Sequence, residues 1–182
     1  TTLSRRLGST SRAAGNLGGI VSTGQAPDGT DLRDWVLRTG ADADSVMDAI
    51  VDSVRPVDGT QDAEATRDAT RDALADLLGQ YPDADLLALT DAQRDLVVER
   101  FAANDVFNRF SLDVGRTIIE RAPTIAQAMQ RLTQVKAFLR EEVAAAFRRL
   151  RDSGSGTSGK AIRDITHAAL RDAFAVFEGY LT

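Results

Sequence analysis

At 182 residues, with no cysteine and a single histidine, the chain has the length of one domain and excludes disulfide frameworks, thiolate metal sites, cysteine nucleophiles and multi-histidine metal centres. Its net charge of -5 is uneven: residues 1–27 carry three arginines and no acid, residues 28–95 carry 17 acids against 6 bases, and residues 96–182 carry 10 acids against 13 bases. That balance orients a partner without making a general nucleic-acid binder. No apolar run reaches the ~20 residues of a membrane span and no apolar block follows the first arginines as in a secretory signal, so the expectation is a soluble, cytoplasmic protein with no membrane association.

Apolar residues recur every three or four positions along the whole chain, without sustained alternation. This predicts an all-α fold, one multi-helix domain over 1–182 with about six or seven helices and no β-sheet. The opening segment puts Leu3, Leu7, Ala14, Leu17 and Val21 on one face. Its glycines, Gly8, Gly15, Gly18 and Gly19, each cost ~1 kcal/mol relative to alanine in a helix interior, so a close neighbour has to hold it. After the loop GQAPDGT (24–30), two shorter helices are expected over 31–39 and 44–54, parted at Gly40, the second burying Met47, Ile50, Val51 and Val54. A polar, alanine-spaced helix over 61–78 is expected to stop at Gly79.

Two strong helix starts follow. Thr90-Asp-Ala-Gln93 and Thr124-Ile-Ala-Gln127 both have the capping-box form, in which the threonine hydroxyl accepts from the N3 amide and the N3 side chain reaches back. The first opens a helix carrying Val97, Phe101, Phe107, Phe110, Val114 and Ile118 that ends before Pro123. The second carries the longest stripe in the chain: Ile125, Met129, Leu132, Val135, Leu139, Val143, Phe147 and Leu150. The core is expected on these two helices, near 91–119 and 125–150, with Phe101, Phe110, Leu132, Leu139 and Phe147 buried. A last helix presents Ile162, Ile165, Ala169, Ala173, Val176 and Tyr180.

The loop between the last two helices, GSGTSGKA (154–161), spells the G-x-x-x-x-G-K core of a phosphate-binding loop. A working loop of that kind follows a buried strand and ends in Ser or Thr to hold magnesium. Here an amphipathic helix precedes it and Ala161 stands at the metal position. The loop reads as a linker in which Thr157 or Ser158 caps the next helix, and no cofactor is expected.

His167 has Asp164 one turn before it and Arg163 and Arg171 flanking it. No G-x-S-x-G elbow accompanies it, so it reads as a helical histidine rather than a catalytic one. Asp68, Asp72 and Asp76 follow one another at four-residue spacing beside Arg67 and Arg71; they drift around the helix and read as a solvated face, not a metal site. Arg148, Arg149 and Arg151, with Arg131 and Arg140 above them, make the densest basic face. A favourable helix-terminal position explains part of it, and no interleaved aromatics mark nucleic-acid stacking. A helical nucleic-acid-binding domain using the Arg131–Arg151 face, or a hydrolase using His167, are the alternatives to an interaction module.

Three segments carry a family resemblance: RRLGSTSRAAGNLGGIVS (5–22), DVFNRFSLDVGRTIIERAPT (105–124) and IRDITHAALRDAFAVFEGY (162–180), with Gly8, Phe110, Asp113 and Gly115 as landmarks. In order and across nearly the whole chain, the sequence resembles the QatB proteins of the Qat anti-phage defence system. The resemblance implies a longer protein with a polar, Gly/Ser-rich N-terminal part, which agrees with a first residue that is not methionine. It also implies an operon supplying an ATPase, a QueC-like nucleobase enzyme and a TatD-like nuclease. In that setting the chain is expected to be a non-catalytic partner, scaffold or N-terminal substrate of the QueC-like enzyme. It carries no catalytic, cofactor or metal residue onto this sequence. The contact residues expected are Arg5, Arg6 and Arg12 near the enzyme's mouth, with Arg148, Arg149 and Arg151 as a second basic site.

Overall fold

The computed structural model describes the backbone of residues 2–112, 116–154 and 159–181; within these it describes side chains except at 2–6, 116–117, 150, 169 and 172–181. It contains helices α1 (Thr2–Thr23), α2 (Leu32–Thr39), α3 (Ala43–Val54), α4 (Gln61–Gln80), α5 (Asp91–Phe110), α6 (Arg116–Arg121), α7 (Ile125–Asp152) and α8 (Gly159–Leu181). Among the described residues there is no strand, only an isolated antiparallel bridge between Gln25 and Asp31. The all-α expectation holds. Of the stretch 91–119, expected as one helix, α5 and α6 are the described helical parts, and residues 113–115 between them lie outside the described residues.

Each start has a local cause. Asp31, Asp42, Thr60, Thr90 and Thr124 occupy the N-cap positions of α2, α3, α4, α5 and α7 in extended conformation, and each side chain accepts a hydrogen bond from the amide three residues on. At Thr90 the capping box is complete, with Gln93 Oε1 accepting from the Thr90 amide at 3.0 Å. At Thr124 only the threonine half is present among the described bonds, at 3.2 Å. The backbone differs between the two caps, with φ of -142° at Thr124 against -63° at Thr90. Gly40 ends α2 in the left-handed region, φ 64°, where a β-carbon is unfavourable. Gly79 does not stop α4, which runs on to Gln80 and closes with the Tyr81 amide donating to the Leu77 carbonyl. Leu74 and Leu77 are fully buried, and their packing outweighs one glycine in the last turn.

α1 is a core helix, not a peripheral arm. Ala14, Leu17, Ile20 and Val21 are fully buried against α5, α8 and α3, and α5 answers with Val97, Val98, Phe101 and Ala102. The segment 81–90, outside any helix, plugs one end of this core: Leu86, Leu87 and Leu89 are buried, the Leu89 amide donates to the Val21 carbonyl at 2.8 Å, and Arg33 donates twice to the Leu87 carbonyl. The α1 glycines have the close neighbour they require. A β-carbon at Gly15 would stand 2.8 Å from the Gly159 carbonyl oxygen, and one at Gly18 would stand 2.5 Å from Ile162 Cδ1, so α8 lies directly on the bare backbone of α1.

Phe101, Leu139 and Phe147 are buried as expected, but Phe110 and Leu132 are only half-buried. The α7 stripe is also not buried along its length, since Ile125 is 76% and Met129 56% exposed while Val143 and Ala146 are covered. Helical period fixes which face is apolar, but how far a neighbour extends along that face is a matter of tertiary length. The expectations at Leu3, Val114, Leu150, Ala169, Ala173, Val176 and Tyr180 fall outside the described side chains.

The glycines of α1 separate two opposing effects. Gly19→Ala, with open space at its β-carbon, should raise stability by about 1 kcal/mol through helix propensity alone. Gly15→Ala gains the same propensity but drives a methyl into the α8 backbone, at about 1–3 kcal/mol of overpacking. Urea denaturation should therefore place Gly15→Ala below the parent and Gly19→Ala above it; equal midpoints for the two variants would show that α1 and α8 are not in backbone contact.

Candidate functional site

α1 runs antiparallel to α5: Thr10 reaches Asp105, while a β-carbon on Gly18 would sit 3.4 Å from Val98. Ser9 accepts from Arg109 near one end of α5, and Arg151 of α7 reaches Asp95 near the other, at 3.4 Å. The first turns of α1 and the last turn of α7 thus stand about 21 Å apart along the helix axis. The two arginine groups singled out by sequence are separate surfaces. Arg12 is exposed on α1, and the side chains of Arg5 and Arg6 lie outside the described residues. Arg148 and Arg149 are exposed, as is Arg131, but Arg140 turns inward: it donates to Asn104 Oδ1 at 3.1 Å and meets Asp76 at 3.4 Å.

The densest polar constellation is one that charge patterns did not mark. Asp105, fully buried on α5, accepts from the hydroxyls of Thr10 on α1 and Thr66 on α4 (2.8 Å) and from Arg109 Nε at 3.0 Å. Arg109, itself buried, also donates to Thr66 at 2.8 Å and Ser9 at 3.3 Å, and lies 3.5 Å from Asp62. Every oxygen of the carboxylate is occupied by this chain. The sequence held a signal for it: Phe101, Ala102, Asp105 and Arg109 share one face, so the acid and its partner one turn on sit where apolar residues belong.

Gly154 and the helix beginning at Gly159 frame the glycine-rich loop, whose residues 155–158, including the expected caps Thr157 and Ser158, lie outside the described residues. Helix α7 precedes it, and Lys160 lies within α8, exposed and 3.1 Å from Asp164. His167 is half-buried on α8. The aspartate row on α4 is not simply a solvated face. Asp76 pairs with Arg140 of α7, and the arginines beside the row cross to α3, Arg67 to Asp52 at 2.7 Å and Arg71 to Asp48 at 3.0 Å. Among the described residues no cluster of His, Asp or Glu is arranged to hold a metal ion, and no helix is long and apolar enough to cross a membrane.

A cleft of about 550 Å³ opens between the first three turns of α4 and the last turn of α5. Among the described residues its polar lining is carboxylate, amide and hydroxyl with one arginine, Arg71, and the Lys136 ammonium lies 5.3 Å from the ring of Phe107 at its edge. A nucleophile with an adjacent base is therefore not assembled there.

A family model described as Qat anti-phage system associated protein QatB matches residues 1–177. The chain belongs to the QatB family. No curated protein and no solved structure matches it. The match takes in the first two segments that carried the resemblance and the third as far as residue 177, and QatB membership makes the chain a component of the Qat anti-phage system. In this QatB chain both the buried Asp105 network and the α1–α8 glycine contact lie inside the matched region.

Removing Asp105 leaves the buried Arg109 guanidinium with only the half-exposed Asp62, 3.5 Å away, as a described ion partner. Asp105→Leu should cost about 3–5 kcal/mol, whereas adding Arg109→Met should recover a large part of it, because a poorly compensated buried charge is worse than none. A double-mutant cycle in urea checks this, and strict additivity of the two changes would contradict the pairing.

Glu99 on α5 tests the opposite end of the same helix. Burial pushes its carboxyl above the ordinary 4.5, and the neighbouring Arg100, Arg148 and Arg151 only partly offset that. A folded value above the unfolded one means that the folded state holds the proton more tightly, so Glu99 weakens the fold as pH rises through its folded value. Glu99→Gln should be the more stable protein at neutral pH and should lose that advantage below about pH 4.5, as thermal melts across pH would show.

Proposed function

We propose that this chain acts in the Qat system as a non-catalytic partner of the QueC-like enzyme, a rigid helical body that docks on it, with the associated ATPase and TatD-like nuclease as further components of the same assembly. The observation that carries this reading is where the polar groups go. Asp105, Arg109 and Asn104 are buried in contacts between helices, Arg94 is buried against Asp91 and Asp95, and Arg140 is bound to Asp76. An enzyme needs a nucleophile or acid–base pair converging on one accessible point, and these buried groups are instead committed to contacts within and between helices, while the accessible cleft brings carboxylates together without an adjacent base. A rigid body also docks with little ordering cost.

The same pairings speak against the two alternatives. Of the basic face over Arg131–Arg151, Arg140 and Arg151 face carboxylates of this chain, which lowers the positive potential available to nucleic acid. Asp164, the carboxylate one turn before His167, is paired with Lys160 at 3.1 Å, and no described cluster joins the histidine to a second acid.

The docking surface in this reading is the start of α1, with Arg5, Arg6 and Arg12 steering encounter and Arg148, Arg149 and Arg151 as a separate basic site. An N-terminal segment preceding the helical body is then the part acted on by the QueC-like enzyme. Co-purification of the native complex followed by intact mass of this chain reports both the partner and any covalent change. Reversing Arg5, Arg6 and Arg12 to Glu should slow association with the QueC-like enzyme by about tenfold or more at low salt, with a smaller effect at high salt. The melting temperature should stay close to that of the parent. Unaltered association kinetics at low salt would move the contact away from α1.

A further inference from the structure

The cleft between α4 and α5 has the form of a receptor groove. On α4, Glu64, Asp68 and Asp72 follow one another at four-residue spacing, with Ala65 beside them. Phe107 in the last turn of α5, and Ser111 and Leu112 just past its end, form the other wall, so Ala65, Phe107 and Leu112 give the groove its apolar part. From Gln61 to Asp72 the groove is about 16 Å long, three helical turns. Leu112 is 46% exposed, a large aliphatic side chain left facing water at the groove's end.

The rim is negative. Glu64 and Asp72 make no ion pair among the described residues, and Asp68 lies 4.0 Å from Arg71, whose guanidinium is already drawn to Asp48 at 3.0 Å. Ser111 Oγ is buried and has no hydrogen-bond partner, which leaves one polar atom in the wall unused. Lys136 of α7 lies 5.3 Å from the centre of the Phe107 ring, so among the described residues three carboxylates stand against one arginine committed to Asp48 and one lysine committed to the ring. That balance repels phosphates and acidic segments and attracts cationic ones.

We infer that this groove receives a short basic amphipathic helix from another protein, its aliphatic or aromatic side chains lying on Phe107 and Leu112 and its Arg or Lys side chains meeting Glu64, Asp68 and Asp72. Length, an apolar part between α4 and the end of α5, and a charged rim together describe helix-in-groove recognition, in which anchors recur at i, i+3 or i+4, and i+7. Arg12, the described arginine of α1, does not line this groove, and the rim is of opposite charge to it, so the contact inferred here is a different one from that proposed above and is tested separately.

The test uses the full chain and a fluorescein-labelled amphipathic peptide with leucines at i, i+3 and i+7 and arginines on both flanks. Anisotropy should show saturable binding that weakens with salt. Asp68→Lys with Asp72→Lys should weaken it by about tenfold or more, as should Leu112→Asp, all three positions being exposed. A peptide with glutamates for its arginines should fail on the parent and bind the double lysine variant, a rescue that simple unfolding could not give. Absence of saturable binding, or binding indifferent to Asp68, Asp72 and Leu112, overturns the proposal. Binding that survives replacement of the peptide's leucines by serine also overturns it, because the contact is then unspecific charge attraction. A photo-crosslinking side chain at position 112, in the chain co-expressed with the other Qat components, should give an adduct on an Arg- or Lys-flanked segment of one of them. An adduct on a second copy of this chain or on nucleic acid, or none at all, counts against it.

Discussion

A single carboxylate fixes the centre of this bundle. Asp105 draws hydroxyls from two other helices and the guanidinium of Arg109 from its own, so α1, α4 and α5 can meet in only one axial register while every oxygen has a donor. Apolar packing alone tolerates sliding, since one alanine or leucine replaces another along a stripe at small cost. A buried ion does not, because a slip of one turn leaves it unpaired in a medium of low dielectric. The neighbouring Asn104–Arg140–Asp76 contact extends the same constraint to α7.

The α1–α8 contact follows a different logic. Where Gly15 and Gly18 remove side chains, α8 approaches until the Gly159 carbonyl and Ile162 lie on the α1 backbone. The last glycine of GSGTSG is thus part of a helix–helix contact: Gly159 has its own close approach to the Gly15 carbonyl, at 3.3 Å from where a β-carbon would be. A glycine cluster that resembles a phosphate loop on paper has at least one member whose reason is steric.

Much of this was legible in the sequence, for identifiable reasons. Period and caps located α2, α3, α5 and α7, and the glycine content of the first helix correctly demanded a close neighbour without naming it. Gly79 misled because propensity is a local term of ~1 kcal/mol and the two buried leucines just before it, Leu74 and Leu77, are worth more. Phe110, Leu132, Ile125 and Met129 were placed on the right face of their helices and given too much cover, because a stripe does not state how long its neighbour is. On the candidate surfaces, the arginines of α1 and α7 were visible as charge but not as two places, and Asp105 was hidden because its partners Thr10 and Thr66 are unremarkable residues far away in sequence. The α4–α5 groove was equally invisible: its carboxylates read as a solvated helix face until Phe107 and Leu112 supplied the apolar part.

The central position of α1 has a consequence in time. Thr10 closes on Asp105 across 95 residues, and Gly15 closes on Gly159 near the other end of the chain. As the chain emerges from a ribosome, α1 is made before either partner exists, and its bare glycine face has nothing to lie against until α8 has been synthesised. Loop closures of that length are slow and leave apolar surface uncovered while they are awaited. Completion of this bundle is therefore governed by its last helix, and a nascent chain halted before α8 keeps its first helix open to other apolar surfaces in the cell.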